Sequence, residues 1–310
     1  NKSVTGLTVA AAPTSTPPLA ALEPLTPIRS RWPALLSGLL SLALLAGLMR
    51  ELVGGGLAAL HEALPTNPLF YLVFLAIYAV QPLSDLVIFR RLWGLPLSGI
   101  VPILRKLVAN EILLGYSGEA YFYAWARTRL NMVAAPFAAI KDVSILSAVV
   151  GNIFTLALLA IATPFAYSLL PAEHIRPILG SVGVMLALSL AILLFRGRLF
   201  SLPASELRWV FLVHLVRTIA YTGLLALCWH LALPLVPLAL WMLLVTGRQL
   251  VARLPLVPNK DIVFANLAVF LVGNDAAVTR LVALTVALTL LSHVIVFALT
   301  WLPLRKGVAA

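Results

Sequence analysis

Seven stretches of the chain, 33–49, 69–89, 143–169, 177–196, 206–232, 235–253 and 278–303, are almost uninterrupted apolar runs. Each is near the roughly 20 residues a helix needs to cross the hydrocarbon core of a bilayer. Water is absent there, so backbone N–H and C=O groups must be satisfied within the segment, which an α-helix does. The composition points the same way. The 310 residues are 62% hydrophobic and only 11% charged, with a mean hydropathy of +1.03. An ordinary soluble domain is about half apolar and about a quarter charged. The sequence therefore predicts an all-α, polytopic transmembrane helix bundle of about eight spans, forming a single transmembrane domain over 31–310.

Residues 1–30 are rich in Pro, Thr and Ala and hold no apolar core of signal-peptide length. They read as a disordered tail. The 22 Lys and Arg against 11 Asp and Glu follow the positive-inside rule, in which cytoplasmic loops collect basic residues. No basic run or aromatic-interleaved patch points to nucleic acid. Arg29 and Arg31, Arg90 and Arg91, Arg127, Arg129 and Lys141, and Arg196, Arg198 and Arg208 all agree with a cytoplasmic N-terminus in a bacterial inner membrane, provided 92–130 enters and leaves on one side. Arg50 and Arg176 fall on the outer side, so the bias is a preference. The single cysteine, Cys228, lies in an apolar run and excludes a disulfide framework or a Cys-based metal site. No HExxH helix, Asp-rich prenyl-diphosphate motif, His box or Walker A loop occurs, so neither metal nor cofactor is expected.

Two regions are apolar but broken. Residues 92–130 carry Gly94, Pro96, Gly99, Pro102, Arg105, Lys106, Asn110, Glu111, Gly115 and Gly118. Residues 255–275 open with PLVPNKD and hold only a short apolar run. Irregular backbone at membrane depth survives only where protein or a water-filled cavity satisfies it, and paired interrupted segments point to transporter substrate sites. Both regions are read as re-entrant or broken helices.

A charge in mid-membrane costs about 2.5–3.5 kcal/mol, so it usually faces a cavity or a partner. Asp85 follows Gln81 by one turn, with Pro82 expected to kink or thin the helix. It reads either as a cavity carboxylate or as an interfacial partner of Arg90 or Arg91. His214, Arg217 and Tyr221 stand at i, i+3 and i+7 and share one helix face. The alternative for Arg217 is to snorkel to the interface. Arg248 and Arg253 flank rather than share a face, while Gln249 and Arg253 align at i, i+4; anchoring charges or ligand contacts both fit. Asn259-Lys260-Asp261 precedes the short run IVFANLAVFLVG (262–273). It offers an N-cap in Asn259 or Asp261, a positive helix end and a cation, which suits an anion such as a lipid phosphate.

The stretch LLGYSGEAYFYAWART (113–128) contains a GxSG match to intramembrane serine proteases. A nucleophilic Ser117 would need a His to activate it and an oxyanion hole, and none of the five His residues carries the expected flank. The plainer reading makes Ser117 an N-cap with Glu119 in the first helical turn.

LLGYSGEAYFYAWARTRL, followed by APFAAIKDVSILSAVVGNIFTLAL, resembles the Gly-Glu…Arg segment and following charged helix of the lysylphosphatidylglycerol synthase transmembrane (flippase-domain) family. RLPLVPNKDIVFANLAVFLVG resembles that family's Pro-rich re-entrant segment, with Asn259-Lys260-Asp261 standing where the family has glycines and an acid. The resemblance covers roughly 33–305, mainly as an order of spans and interruptions. It implies a helix bundle that accepts an anionic lipid or lipid-linked intermediate in a cavity and moves it between leaflets. Arg127, Lys141 and Asp142 join the binding set on this ground. With the chain ending shortly after its last span, no aminoacyl-transfer domain is expected. The alternatives are a membrane-embedded enzyme using Ser117 or Glu119, and a non-transporting anchor subunit; a homo-oligomer is left open.

Overall fold

The computed structural model describes residues 64–112, 117–129, 135–169, 200–253, 260–272 and 276–301, with the isolated positions 183 and 187. All belong to one compact unit, Arg31–Ala310; the N-terminal unit, Asn1–Ser30, lies outside the described residues. So do the expected span 33–49 and most of 177–196.

Among the described residues there are eight α-helices and no strand. They are α1 (Pro68–Trp93), α2 (Ile100–Ile112), α3 (Ser117–Arg129), α4 (Ala135–Leu169), α5 (Ala204–Ala232), α6 (Leu238–Ala252), α7 (Lys260–Val272) and α8 (Ala276–Trp301). A short 3-10 turn, Leu97–Gly99, leads into α2. Four hold stretches long and apolar enough to cross a membrane: Pro68–Trp93, Phe137–Ala162, Ala204–Ala232 and Ala276–Thr300. These mark the protein as membrane-embedded. Their outer faces fit that setting, since Leu69, Leu72, Leu75 and Leu83 of α1 and Leu212, Val216 and Ile219 of α5 are exposed. Hydrocarbon, not water, is the solvent such a surface suits.

Two expectations change. The run 235–253 yields only the 15-residue α6, which starts after Pro237. At 1.5 Å per residue it is about 22 Å long, short of a 30 Å core. Second, α4 begins at Ala135, eight residues before the expected span 143–169, and so takes in Asp142, whose carboxylate is satisfied by the backbone of another segment. Helix α1 runs through Pro82 as one helix. Its start is fixed by Asn67, whose side chain accepts from Leu69 N–H at 3.0 Å, and by Pro68 in the first turn. It ends where Gly94 adopts φ 65°, a left-handed conformation glycine enters without Cβ strain.

The broken region 92–130 resolves into two 13-residue helices, α2 and α3, packed against each other. Ser117 Oγ donates to the Ala109 carbonyl at 2.7 Å, Gly118 N–H to Asn110 Oδ1 at 2.7 Å, and Arg105 Nη1 to the Tyr121 hydroxyl at 3.4 Å. As the residue number rises on one helix it falls on the other, so the pair is an antiparallel hairpin. A Cβ on Gly118 would overlap the Lys106 carbonyl, which explains why glycine stands there. Each arm is about 20 Å long.

Helices α1 and α5 also run antiparallel. The Cys228 thiol lies 3.7 Å from the Phe70 carbonyl at one end, and Arg91 makes a two-bond pair with Glu206 (2.8 and 3.1 Å) at the other. Around this pair lie two apolar cores. One gathers Phe70, Phe74 and Ile77 of α1 with Leu225 and Trp229 of α5, Trp241 and Leu244 of α6, Phe264 of α7 and Val282 of α8. The other gathers Leu86 and Phe89 of α1, Ile103 of α2, Phe122 of α3, Val143 of α4 and Val210 of α5. Between them both central helices turn polar: Tyr78, Gln81 and Asp85 on α1, His214, Arg217 and Thr218 on α5.

Candidate functional site

This polar belt borders a cavity of about 330 Å³. Five basic side chains line it, Lys106, Arg217, Arg248, Arg253 and Lys260, with four carboxylates, Asp85, Glu111, Glu119 and Asp261. Every helix from α1 to α8 contributes at least one lining residue. The short helices matter most: α2 brings Lys106 and Glu111, α3 brings Glu119, and α7 brings Lys260 and Asp261.

Lys106 is the centre of one cluster. Its ammonium lies 2.8 Å from Asp85 Oδ2 and 3.6 Å from Glu119 Oε1, and 5.8 and 5.9 Å from the ring centres of Phe89 and Phe122. Burial opposes its charge, but Asp85 and Glu119 outweigh that and hold its pKa above the usual lysine value. Asp85 thus takes the cavity alternative and pairs with a residue of the hairpin, while Arg91, one of the two interfacial partners considered for it, is engaged by Glu206. Glu119 Oε2 is buried without a hydrogen-bond partner.

The second cluster joins α6 and α7. Arg248 Nη2 contacts Asp261 Oδ1 at 2.5 Å, and its guanidinium lies 4.9 Å from the Tyr221 ring centre. Lys260 donates to the Ala252 carbonyl at 2.9 Å; burial and the nearby Arg253 hold its pKa below the usual lysine value. Arg253 lies against Gly151 of α4, where a Cβ would overlap the guanidinium. Arg248 and Arg253 were expected to flank rather than share a face, yet both reach the cavity, together with Gln249, which donates to Thr222 at 2.8 Å.

Between the clusters stands Arg217. It lies 13 residues inside α5, about 20 Å from the helix start and near mid-helix. Its Nη2 donates to the Ser147 hydroxyl of α4 at 2.8 Å. Among the described residues, no carboxylate lies within ion-pair distance of it. His214, one turn earlier, is almost fully buried; its Nε2–H donates to the Val143 carbonyl at 3.1 Å, which leaves Nδ1 as an acceptor, and that atom has no partner. The site thus combines a guanidinium bound only to a neutral hydroxyl with buried acceptors awaiting a donor. Anions with attached polar groups match both demands.

Of the sequence-derived set, Asp85, Glu119, His214, Arg217, Tyr221, Arg248, Arg253, Lys260 and Asp261 line the cavity. Asn259 lies outside the described residues. Arg127, Lys141 and Asp142 stand apart from the cavity. Arg127 is exposed. Asp142, fully buried, accepts from Ser201 and Leu202 N–H at 2.6 and 2.7 Å, and Lys141 bonds Ser201 Oγ at 3.1 Å. This pair ties α4 to the segment before α5. Ser117 is no N-cap: its hydroxyl is spent on Ala109, and Asn110 supplies the acceptor for the first turn of α3. Sequence reasoning missed Lys106, Glu111, Ser147, Tyr78 and His293 as lining residues; Tyr78 and His293 are hydrogen-bonded at 3.0 Å. Lys106 and Glu111 were visible as charges in an apolar stretch, and Asp85 needed a cation.

Comparison with protein-family models, curated proteins and solved structures gives no match.

Proposed function

We propose that the protein binds the anionic headgroup of a membrane lipid, or of a lipid-linked intermediate, in this cavity and moves it between leaflets of a bacterial inner membrane. The observation that carries the reading is Arg217: a half-buried guanidinium near mid-helix that donates to a hydroxyl while a cavity large enough for a headgroup lies beside it. Its flat fork of donors fits two oxygens of a phosphate at once. Helices α2, α3 and α7 are each too short to span and bring charges to the same place. We infer that they are re-entrant elements whose rocking against the long helices opens the cavity to one leaflet at a time, with the N-terminus cytoplasmic. The resemblance to the lysylphosphatidylglycerol synthase transmembrane family adds support from the chain order of these segments. We assign the cavity no catalytic step.

Binding is tested by calorimetry on detergent-solubilised protein with dihexanoyl phosphatidylglycerol, dihexanoyl phosphatidylcholine and glycerol 3-phosphate. The anionic lipid should bind, and Arg217→Ala should weaken it by one to two orders of magnitude, since a hydrogen bond to a charged group contributes about 1.5–3 kcal/mol. Tighter binding of glycerol 3-phosphate than of the lipid would point to a soluble phosphate as the ligand. Equal binding of the two lipids would remove the anion site.

A further inference from the structure

Three of the four cavity carboxylates have a cation within ion-pair distance: Asp85 and Glu119 share Lys106, and Asp261 has Arg248. Glu111 is the exception. Among the described residues, it has no hydrogen-bond or ion-pair partner, although it lines the cavity. It sits near the end of α2, within electrostatic range of Lys260 and Asp261 at the start of α7.

Polar or charged groups from several helices act on it. On α1 this is Tyr78, which holds His293 of α8. On α3 it is Glu119, a second carboxylate. From α6 and α7 come Arg248, Lys260 and Asp261, and from α5 Tyr221, all within electrostatic range. The two facing carboxylates repel a charge on Glu111, and the cations of α6 and α7 only partly offset them. Burial first, and then Asp261, push its carboxyl up to about 7. With Glu111 ionised, the cavity's five bases face four carboxylates; protonated, it has three and a larger surplus of positive charge for an anion.

We propose that Glu111 is a proton-binding site coupled to the headgroup site, taking one proton from water when the anion enters and returning it when the anion leaves. The carboxylate becomes a neutral acid, no other bond changes, and each anionic headgroup crosses with a proton. This deepens the reading of the cavity as an anion site and rests on it. Reciprocity follows: the anion raises proton affinity at Glu111 by the same factor by which the proton raises anion affinity.

The test is calorimetric titration of the whole protein with dihexanoyl phosphatidylglycerol at pH 6 to 8.5. Buffers of different ionisation enthalpy report protons taken up directly. In the wild type, binding should weaken by up to about tenfold between pH 7 and 8, as one linked proton requires, with close to one proton absorbed per lipid near pH 8. Glu111→Gln, which mimics the protonated acid in shape, should bind tightly with no pH dependence and absorb no proton. Binding that is flat with pH in the wild type, without proton uptake, would overturn the coupling and leave the headgroup site standing. A pH slope that survives in Glu111→Gln would assign the proton elsewhere and defeat the proposal. Absence of lipid binding at any pH would sink both.

Discussion

Lys106→Met should be the most destabilising single change at the cavity. The ammonium holds two carboxylates, at 2.8 and 3.6 Å, and both Lys106 and Asp85 side chains are nearly inaccessible, at 7% and 6%. Solvent therefore screens the pair little. Removing one partner of such a pair leaves an uncompensated buried charge and costs about 3–5 kcal/mol; methionine keeps the volume and the contact with Phe89 and Phe122, so packing adds little. For a chain of this size the loss corresponds to a fall in Tm of about 6–10 °C, since each kcal/mol shifts a large domain by about 2 °C. The single cysteine makes the assay convenient. Cys228 is fully buried, so a thiol-reactive fluorophore reports its exposure on heating in detergent. The charge argument further requires rescue: Lys106→Met with Asp85→Asn should regain more than half of the loss, because only Glu119, farther away at 3.6 Å and more exposed, then lacks its cation. A Tm within about 2 °C of wild type for the single variant, or no recovery in the double one, would refute the view of Lys106 as the electrostatic centre of the cavity.

Gly118→Ala should lower stability by about 1–3 kcal/mol, the usual range for overpacking, because its Cβ meets the Lys106 carbonyl and backbone cannot turn aside; the same thiol assay measures it. Asp142→Ala should cost about 3 kcal/mol or more, since two hydrogen bonds to a buried carboxylate are lost, yet lipid binding per folded molecule should stay at the wild-type value. Stability should also carry a Glu111 contribution of known sign. With the carboxyl raised from 4.5 to about 7 in the fold, the folded state binds the proton more tightly than the unfolded state. Its contribution is thus complete below about pH 4.5, declines as pH rises to 7 and is flat above. The difference in Tm between wild type and Glu111→Gln, followed from pH 5 to 8, should show that decline; a rise with pH would contradict it.

Long apolar runs predicted α1, α5 and α8 to within a few residues, because hydrophobic length alone decides whether a helix can span. The broken segments were legible as interruptions, and the hairpin that fills one of them depends on contacts such as Gly118 against Lys106 that no local pattern displays. At the cavity, the stripe His214, Arg217, Tyr221 was readable because helical periodicity puts these residues on one face. The roles of Lys106 and Glu111 were not, since each depends on which charges arrive from helices distant in sequence. Asp142 shows the converse limit. A buried carboxylate looks the same in sequence whether it faces a cavity or, as here, the backbone of Ser201 and Leu202 from 59 residues away. Ser117 was misread for a related reason: the cap of α3 comes from Asn110, a residue of the preceding helix.

The central claim, that Arg217 receives a lipid anion in transit, is tested most directly by transbilayer movement in reconstituted vesicles. A fluorescent short-chain phosphatidylglycerol is loaded in the inner leaflet, and its arrival outside is read by a membrane-impermeant quencher. Wild-type protein should speed the movement over protein-free vesicles. Arg217→Ala, incorporated at equal amounts and with unchanged Tm, should slow it at least tenfold, corresponding to about 1.4 kcal/mol in the barrier. Arg217→Lys should recover only part, because a point charge cannot replace the two-pronged donor. Movement by a folded Arg217→Ala protein at the wild-type rate would contradict the account.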